Sequence, residues 1–354
     1  MRHSIAAMAL TGALIATAVS GCTTAPRAAP ERTTTSPTAT ATATATKPTL
    51  KLIVEPQAGY QPIYDFISGA RVSLDMTMYQ LSDTMAQDAL KAAAQRGVKV
   101  RVLLDSDTQS GGNSTMNQDA YSDLSTNGVA VRWAWSGTLW HQKSISRDGT
   151  TAAIMTCNLY SPDYPVVRDF AVITDNRATV AGMDATFEKD WQSPNSPPAS
   201  GVAPSDSELV WSPGAQNPLV DLIDSARSGT TIWAEDEQLD SPPIQQSLIS
   251  AAKRGVTVNF LMTYSSDFAN GLAAVSQGGV NVRVYQPNAP IYIHAKALTV
   301  NDDTAYEGSI NFTTTMTDQN RNVGVITKDP GVVDGIRSTI ASDFAGAAPL
   351  TPGP

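Results

Sequence analysis

The chain has 354 residues, of which 42% are hydrophobic, 6% aromatic and 16% charged. This mixture is typical of globular proteins and excludes a fibrous or largely disordered chain. The 24 Lys and Arg residues against 33 Asp and Glu residues give a net charge of −9. An acidic surface repels phosphate backbones, so we do not expect broad binding to nucleic acid, although a local basic pocket is compatible with this charge.

The N-terminal part of the chain has the composition of an export signal followed by a tether. A short basic start precedes an apolar run from Ile5 to Val19, and small residues lead to Cys22. This pattern predicts a lipoprotein signal peptide over residues 1–21, with a lipid on the Cys22 thiol; the alternative is a plain secretory signal. Residues 22–47 are mainly Thr, Ala and Pro and predict a disordered tether. We therefore expect an extracytoplasmic protein, anchored to the cell membrane by its lipid or secreted.

The rest of the chain repeats itself at a fixed spacing. Two pairs of segments recur 153 residues apart: 141–143 with 294–296, and 168–174 with 321–327. Such a spacing is typical of an internal duplication. We therefore predict two halves, residues 48–200 and 205–350, joined by a Pro- and Ser-rich stretch. A duplicated chain can complete a shared site by itself, so we expect a monomer.

In chain order, each half alternates helical patterns with short β-branched runs. A helix is predicted over 84–95 and a strand over 98–104, and their counterparts over 243–253 and 256–261. This alternation indicates an α/β fold. The polar stretches 106–128 and 265–279 carry no recognisable pattern, and we interpret them as loops that would set substrate preference.

Beyond the signal segment the chain has only two histidines, His141 and His294, and a lysine follows each of them two residues later. Residues i and i+2 of a strand share a face, so in a strand over 291–300 we expect His294 and Lys296 to project together. The same holds for His141 and Lys143. A histidine can act as nucleophile or proton donor, and a lysine can hold an anionic oxygen. The repeat thus supplies the groups that displacement at a phosphodiester requires.

These motifs resemble the HxKxxxxD and GSxN signatures of the phospholipase D superfamily, over about residues 50–345. The residues that carry the resemblance are His141, Lys143, Asp148, Thr156 and Asn158 in the first half and His294, Lys296, Asn301, Ser309 and Asn311 in the second. Asn301 replaces the aspartate of the second copy, and Met155 replaces the glycine of the first. These departures leave open a catalytically dead duplicate, and we expect Met155 to narrow the pocket.

The resemblance implies two α/β halves, each a mixed sheet flanked by helices, related by a pseudo-two-fold axis with the active site at their interface. It implies that one histidine attacks phosphorus and the other protonates the leaving alcohol, without a metal or other cofactor. By family analogy His141 is the nucleophile and His294 the general acid. The groups expected to bind the phosphoryl oxygens are Lys143, Lys296, Asn158, Asn311, Thr156 and Ser309.

The family often has a carboxylate that hydrogen-bonds a catalytic imidazole, and its place is taken by Asp169 in the first half and Asn322 in the second. The sequence does not say which histidine Asp169 contacts. The acidic segment 235–237 is interpreted first as a solvated loop, and alternatively as a selector of cationic headgroups. Cys157 is expected to be a buried small apolar residue.

Our leading hypothesis is a membrane-anchored phosphodiesterase that hydrolyses phospholipids to phosphatidic acid and a free headgroup alcohol. One alternative is a nuclease of the same superfamily, which the net charge disfavours. Another is a catalytically silent envelope protein that binds phosphate. Transfer to an alcohol differs from hydrolysis only in the acceptor, and an outward-facing site favours water.

Overall fold

The computed structural model describes residues 48–106 and 115–351. The predicted signal peptide, Cys22 and the predicted tether lie outside the described residues, as does part of the predicted loop 106–128. Among the residues that are described, no helix combines the length and the apolar character that crossing a bilayer requires.

The first half is a mixed sheet with helices against it. Its strands are β1 (Leu50–Glu55), β2 (Ser73–Met78), β3 (Lys99–Leu104), β4 (Ala130–Trp133), β5 (Lys143–Arg147), β6 (Thr151–Met155) and β7 (Val167–Thr174). Its helices are α1 (Gln61–Ser68), α2 (Thr84–Gln95), α3 (Thr115–Thr126) and α4 (Arg177–Gln192). The strands lie in the order β1-β7-β6-β5-β2-β3-β4, with β2, β3 and β4 parallel and the other pairs antiparallel.

The second half repeats this plan. Its strands are β8 (Leu209–Ser212), β9 (Thr231–Glu235), β10 (Thr257–Thr263), β11 (Asn281–Tyr285), β12 (Tyr292–Ile293), β13 (Ala297–Val300), β14 (Thr304–Gly308), β15 (Asn322–Thr327) and β16 (Ala348–Pro349). Its helices are α5 (Gln216–Asp224), α6 (Pro242–Lys253), α7 (Ala269–Gln277), α8 (Thr314–Asp318) and α9 (Pro330–Gly346). The main sheet has the order β16-β11-β10-β9-β13-β14-β15-β8. The predicted fold of two duplicated α/β halves with mixed sheets is confirmed.

The matched helices α2 and α6 show why the two halves fold alike. Each buries one apolar stripe at helical spacing: Ala86, Leu90 and Ala93 on α2, and Ile244, Leu248 and Ala251 on α6. Each is followed by a glycine at positive φ, Gly97 and Gly255, where a side chain would be strained. These are the local signals that made both helices and the strands after them predictable.

Two stretches interpreted as loops contain helices instead. In the first, α3 buries Ala120 and Leu124, and in the second, α7 buries Leu272 and Val275. Two apolar residues one turn apart suffice to fix a short helix against the neighbouring core. Among many polar residues this signal was too weak to distinguish these segments from loops.

Apolar residues form one core outside each sheet and a third core between the sheets. The central core joins Ile154, Phe170 and Val172 of the first half to Ala297, Val323 and Val325 of the second. Because these residues lie on β6, β7, β13 and β15, the inner faces of the two sheets pack against each other. The strands that carry the site motifs therefore run along the interface.

The chain segment before each histidine lies against a strand of the opposite half. The cross-half pairs are Tyr292 with Val167, Ile293 with Arg168 and, as an isolated bridge, Trp140 with Arg321, all parallel. This pseudo-symmetric exchange places His141 and His294 at the interface. It also interrupts the strand predicted over 291–300, because residues 294–296 pass from one sheet to the other between β12 and β13.

Candidate active site

Each of the two histidines is held by a side chain from the opposite half. Nδ1 of His294 lies 2.8 Å from Oδ1 of Asp169, which is on β7. Nδ1 of His141 lies 3.2 Å from Oδ1 of Asn322, which is on β15. Asp169 is thus the partner of His294, an assignment that the sequence left open, and the two imidazoles have partners of different charge.

The contacts of His141 fix its tautomer. Its Nδ1 faces two acceptors, the carbonyl oxygen of Ser309 at 2.9 Å and Oδ1 of Asn322. Nδ1 must therefore carry the proton, which leaves the lone pair of Nε2 for the cavity that His141 lines. Burial, followed by the charges of Lys143 and Lys296, lowers the pKa of His141 well below its usual value. The imidazole is consequently neutral and able to act as a nucleophile near neutral pH.

The two hydroxyl groups of the GSxN-type segments position the histidine partners. Thr156 Oγ1 donates to Asp169 Oδ1 at 2.5 Å, and Ser309 Oγ donates to Asn322 Oδ1 at 3.0 Å. Each hydroxyl also accepts a backbone N–H from the adjacent strand. The prediction that Thr156 and Ser309 bind phosphoryl oxygens is therefore wrong. Asp169 likewise faces a histidine, His294.

The two lysines are fully buried beneath the histidines. Each Nζ donates to the carbonyl oxygen of the histidine two residues before it. A hydrogen bond thus joins the histidine and lysine of each motif, although the HxK segment of the second half is not a continuous strand. Burial, together with the charge of Lys296, lowers the pKa of Lys143. An ammonium group has three donors, so each lysine retains capacity for a phosphoryl oxygen.

Glu237 lies among the polar groups of the second half. Its Oε2 is 3.1 Å from Lys296 Nζ, 3.8 Å from His294 Nε2 and 3.5 Å from Asn311 Nδ2. Its Oε1 accepts a hydrogen bond of 3.1 Å from the Tyr292 hydroxyl. Burial opposes ionisation of this carboxyl, but the neighbouring Lys296 and His294 outweigh it and hold the pKa of Glu237 below its usual value.

The acidic segment 235–237 is therefore not a solvated loop. Glu235 and Asp236 are fully buried, and burial raises the pKa of both. Glu237 precedes the start of α6 by five residues, as Tyr79 precedes the start of α2. The Tyr79 ring packs 4.9 Å from the ring of His141, so the equivalent position is aromatic in one half and anionic in the other.

A cavity of about 580 Å³ opens over these groups. It is lined by both histidines, Asn158 and Glu237, together with Tyr160, Asp163 and Tyr292. No clear sequence signal marks Tyr160 or Asp163 as site residues, whereas Tyr292 could have been inferred from its place two residues before His294. Within residues 48–106 and 115–351, no group of three or more His, Cys, Asp and Glu residues is arranged to hold a metal ion.

The last residue of each HxKxxxxD-type motif lies outside the site. The carboxylate of Asp148 accepts backbone N–H groups of residues 71–73 at 2.7 to 3.1 Å. Asn301 Oδ1 accepts from Arg227 N and Thr230 Oγ1. Both residues adopt a positive φ, 56° and 58°, which Asp and Asn tolerate in turns. Asp148 and Asn301 complete the two motifs in the sequence, but in the structure they stabilise turns and do not reach the site.

The residue that replaces the first glycine of the GSxN pattern in the first half also leaves the cavity unobstructed. Met155 is fully buried in the outer core of the first half and does not line the cavity, so the expectation that it narrows the pocket is wrong. In the second half a Cβ on Gly308 would come within 2.3 Å of the Cα of Gly324, so this position requires glycine. Cys157 is buried in the outer core, as predicted.

A family profile described as "Cardiolipin synthase, PLD-like domain" matches residues 63–191 and 219–344, one match in each half. The chain belongs to the phospholipase D superfamily. This membership explains why the two halves carry the same motif on the same strands, and why both motifs meet in one site.

Curated members of the superfamily share between 25% and 30% sequence identity with this chain over the matched residues. The mitochondrial cardiolipin hydrolase of Xenopus tropicalis is 30% identical over 123 residues, which are 35% of this chain and 56% of that protein. Cardiolipin synthase A of Pseudomonas aeruginosa is 25% identical over 344 residues, 86% of this chain and 68% of that protein. A protein named probable cardiolipin synthase, of Bacillus subtilis, is 28% identical over 130 residues, 36% of this chain and 26% of that protein. The chain thus spans between about a quarter and two thirds of these relatives.

Solved structures show the same fold at low identity. The phosphatidylserine synthase of Haemophilus influenzae superposes with a TM-score of 0.63 over 85% of this chain and 87% of that chain, at 11% identity. The polyphosphate kinase of Porphyromonas gingivalis superposes with the same TM-score over 84% of this chain and 47% of that chain, at 15% identity. At these identities the likeness concerns the fold alone.

Proposed function

We propose that the protein is a phosphodiesterase that cleaves phospholipids through a covalent phosphohistidine on His141. The observation that carries this proposal is the unequal pair of imidazoles. His141 has a protonated Nδ1, a free Nε2 and a lowered pKa, as a nucleophile requires. His294 is hydrogen-bonded to a carboxylate, Asp169, which stabilises the protonated imidazole that a general acid requires.

In the first step Nε2 of His141 attacks phosphorus, and the bond between phosphorus and the headgroup oxygen breaks. The proton on Nε2 of His294 passes to that oxygen, and the headgroup leaves as an alcohol and not as an alkoxide. Asn158 and the two buried lysines donate hydrogen bonds to the phosphoryl oxygens. Their donors are fixed before the reaction begins, so they stabilise the charge that develops in the transition state.

In the second step water attacks phosphorus and gives a proton to Nε2 of His294, which is now neutral. The bond between phosphorus and His141 breaks, phosphatidic acid leaves, and His294 is again protonated. His141 is thus the nucleophile of the first step and the leaving group of the second. His294 is the acid of the first step and the base of the second, so no additional proton donor is needed.

The phospholipid substrate is supported by the relatives, two named as cardiolipin synthases and one as a cardiolipin hydrolase. A nuclease is less well supported, because the cavity carries Asp163 and Glu237 and the chain has a net charge of −9, both of which disfavour a polyanion. The predicted lipid on Cys22 would hold the site beside its substrate. We propose that anchor from the sequence alone.

Transfer to an alcohol is the second candidate, because some relatives are named as synthases. An alcohol would enter where water does and use the same histidines. Adding glycerol to the reaction separates the two outcomes, because hydrolysis yields phosphatidic acid whereas transfer yields phosphatidylglycerol.

The test uses the full chain in detergent with mixed phospholipid vesicles and excess EDTA. We expect wild-type protein to release phosphatidic acid, and His141→Ala to be slower by about three orders of magnitude or more. An alkaline quench followed by peptide mass spectrometry should find the phosphatidyl adduct on the peptide that contains His141. Equal release by the variant, or an adduct on His294, would contradict the proposal. No release by the wild type would favour a silent pocket or, if it cuts an oligonucleotide, a nuclease.

A further inference from the structure

The mechanism leaves one ionised group of the site without a role, the carboxylate of Glu237. It is 3.8 Å from Nε2 of His294, the atom proposed to hold the proton for the leaving group. Its side chain is 20% exposed, and it lines the cavity. It can therefore reach a bound molecule.

The position of Glu237 determines which part of a substrate it meets. The leaving oxygen must lie within hydrogen-bond distance of His294 Nε2 to receive the proton. The substituents on the first carbons of the leaving alcohol are then next to Glu237. The nucleophile, His141, attacks from the opposite side of phosphorus, and its neighbour at the equivalent position is Tyr79 instead of a carboxylate.

The carboxylate is held in this place from both ends. Tyr292 donates to Oε1, and Lys296 donates to Oε2. Lys296 and Glu237 thus present a cation and an anion side by side, which complements a phosphate and an ammonium group in one substrate. The rings of Tyr160 and Tyr292 also line the cavity, and aromatic faces attract cations.

We propose that Glu237 binds a cationic group of the leaving alcohol, so that zwitterionic phospholipids with an ammonium headgroup are preferred over those with an uncharged polyol headgroup. The proposal rests on the function proposed above, because it requires His294 to be the group that protonates the leaving alcohol. It makes Glu237 a specificity residue for the headgroup. Asp163 is the weaker candidate for this role, because Glu237, and not Asp163, forms an ion pair with Nε2 of His294.

The experiment is an internal competition in one vesicle preparation. Phosphatidylethanolamine and phosphatidylglycerol are mixed at equal mole fraction, and the full chain is added in detergent. Released ethanolamine and glycerol are measured in the same reaction, so their ratio reports relative kcat/KM independently of vesicle binding. We expect the wild type to favour ethanolamine, and Glu237→Gln to lower the ratio by about 10- to 100-fold, the range for a hydrogen bond to a charged group.

Two further variants keep the test decisive if Glu237→Gln folds poorly. Tyr292→Phe retains the carboxylate but removes one of the donors that hold it, so it should lower the ratio in the same direction by a smaller factor. Asp163→Asn removes the other carboxyl of the cavity and should change the ratio less than Glu237→Gln does.

The possible failures are distinguishable. An unchanged ratio in both Glu237→Gln and Tyr292→Phe, with both alcohols still released, would overturn the role of Glu237 and leave the proposed function intact. Faster release of both alcohols alike by Glu237→Gln would also overturn it, because the carboxylate would then only compete with phosphate. Release of neither alcohol by the wild type would overturn both proposals.

Discussion

The two halves of the molecule share strands, helices and motif spacing, yet they surround their histidines with different charges. His294 has Asp169 at 2.8 Å and Glu237 at 3.8 Å. His141 has the amide of Asn322 and the ring of Tyr79 at the equivalent places. The duplicated backbone therefore supplies two matching imidazoles, and substitutions at two positions make them unequal.

In the proposed mechanism this difference in neighbouring charge gives His141 and His294 different roles. Two identical halves would not distinguish them. Two carboxylates, Asp169 and Glu237, flank His294, whereas burial and two neighbouring lysines lower the pKa of His141. In the proposed mechanism one half supplies the proton, from His294, and the other supplies the lone pair, from His141. Exchanging the charges between the halves, or removing them, tests whether the roles follow the charges.

The largest effect should come from removing the proposed acid. We expect His294→Ala to lower the rate with a phospholipid by about 100- to 10,000-fold, because the alkoxide then leaves unprotonated. A p-nitrophenyl phosphodiester needs no acid for its leaving group. The variant should therefore release one nitrophenolate per site in a fast burst and then stall, because the second step lacks its base. Stopped-flow absorbance measures the burst.

His141→Ala provides the control for this assignment. Without the nucleophile we expect neither a burst nor turnover with either substrate. A burst from His141→Ala and none from His294→Ala would mean that the roles are reversed and that the negatively flanked imidazole is the nucleophile.

The next effect should come from making the second half resemble the first. Asp169→Asn keeps a hydrogen-bond acceptor for His294 but removes the charge that stabilises its protonated form. We expect kcat with a phospholipid to fall by about 10- to 100-fold, because a neutral partner supports proton donation by His294 less well than a carboxylate does. The nitrophenyl burst should be less affected. An equal loss with both substrates would indicate a disturbed fold instead of a weakened acid.

The sequence predicted the elements whose signals are local. Residues 84–95 carry an apolar stripe and a glycine at the end, and the predicted helix has the bounds of α2. The helix α3 was missed because the apolar residues of its buried face, such as Ala120 and Leu124, are few among polar neighbours. The resemblance to the family, which the two His-x-Lys motifs carry, implied that both motifs belong to one site.

The contacts across the interface could not be read from the sequence. Asp169 and His294 are 125 residues apart and meet because β12 pairs with β7 of the other half. Glu237 resembled a solvated loop residue, since nothing local shows that Lys296 and Tyr292 surround it. Long-range pairing determines such burial, and one sequence contains no direct record of it.

A smaller effect should come from making the first half resemble the second. Asn322→Asp places a carboxylate beside Nδ1 of His141, and an adjacent anion favours the imidazolium. The pKa of His141 is lowered in the native protein, so its nucleophilic form persists into the acidic range. In the variant we expect Nε2 of His141 to keep its proton up to a higher pH than in the native protein. We expect the acidic limb of kcat/KM to move up by about one to two pH units, with little change above pH 8.

The pH profile distinguishes this effect from general damage. A uniform loss at every pH would show that the amide of Asn322 is required for geometry, and an unshifted acidic limb would show that His141 does not titrate as the nucleophile. Asp169→Asn combined with Asn322→Asp exchanges the charges between the halves. If the roles follow the charges, the double variant should recover part of the activity that Asp169→Asn loses.

The smallest effect should come from the matched turns that end the motifs, where the two halves differ in charge but share a function. Burial opposes ionisation of Asp148, but the backbone N–H groups of residues 71–73 outweigh it and lower its pKa. Its folded-state pKa is therefore below the unfolded value, so its charge stabilises the protein above about pH 4, and this contribution is lost as the pH falls through the folded pKa. Asp148→Asn should lower the free energy of unfolding by about 1 kcal/mol at pH 7 and by less below pH 4.

Asn301 shows why that loss should be small, because an amide already closes the equivalent turn of the second half, with Nδ2 donating to the Ser225 carbonyl oxygen. Denaturant unfolding at pH 7 and pH 3 measures the difference, and kcat should be unchanged at temperatures where both proteins are folded. If Asp148→Asn instead lost activity without losing stability, the aspartate would act on the site from a distance. The replacement of aspartate by Asn301 would then weaken the second motif. The two halves would differ in function at these turns as well as at the histidines.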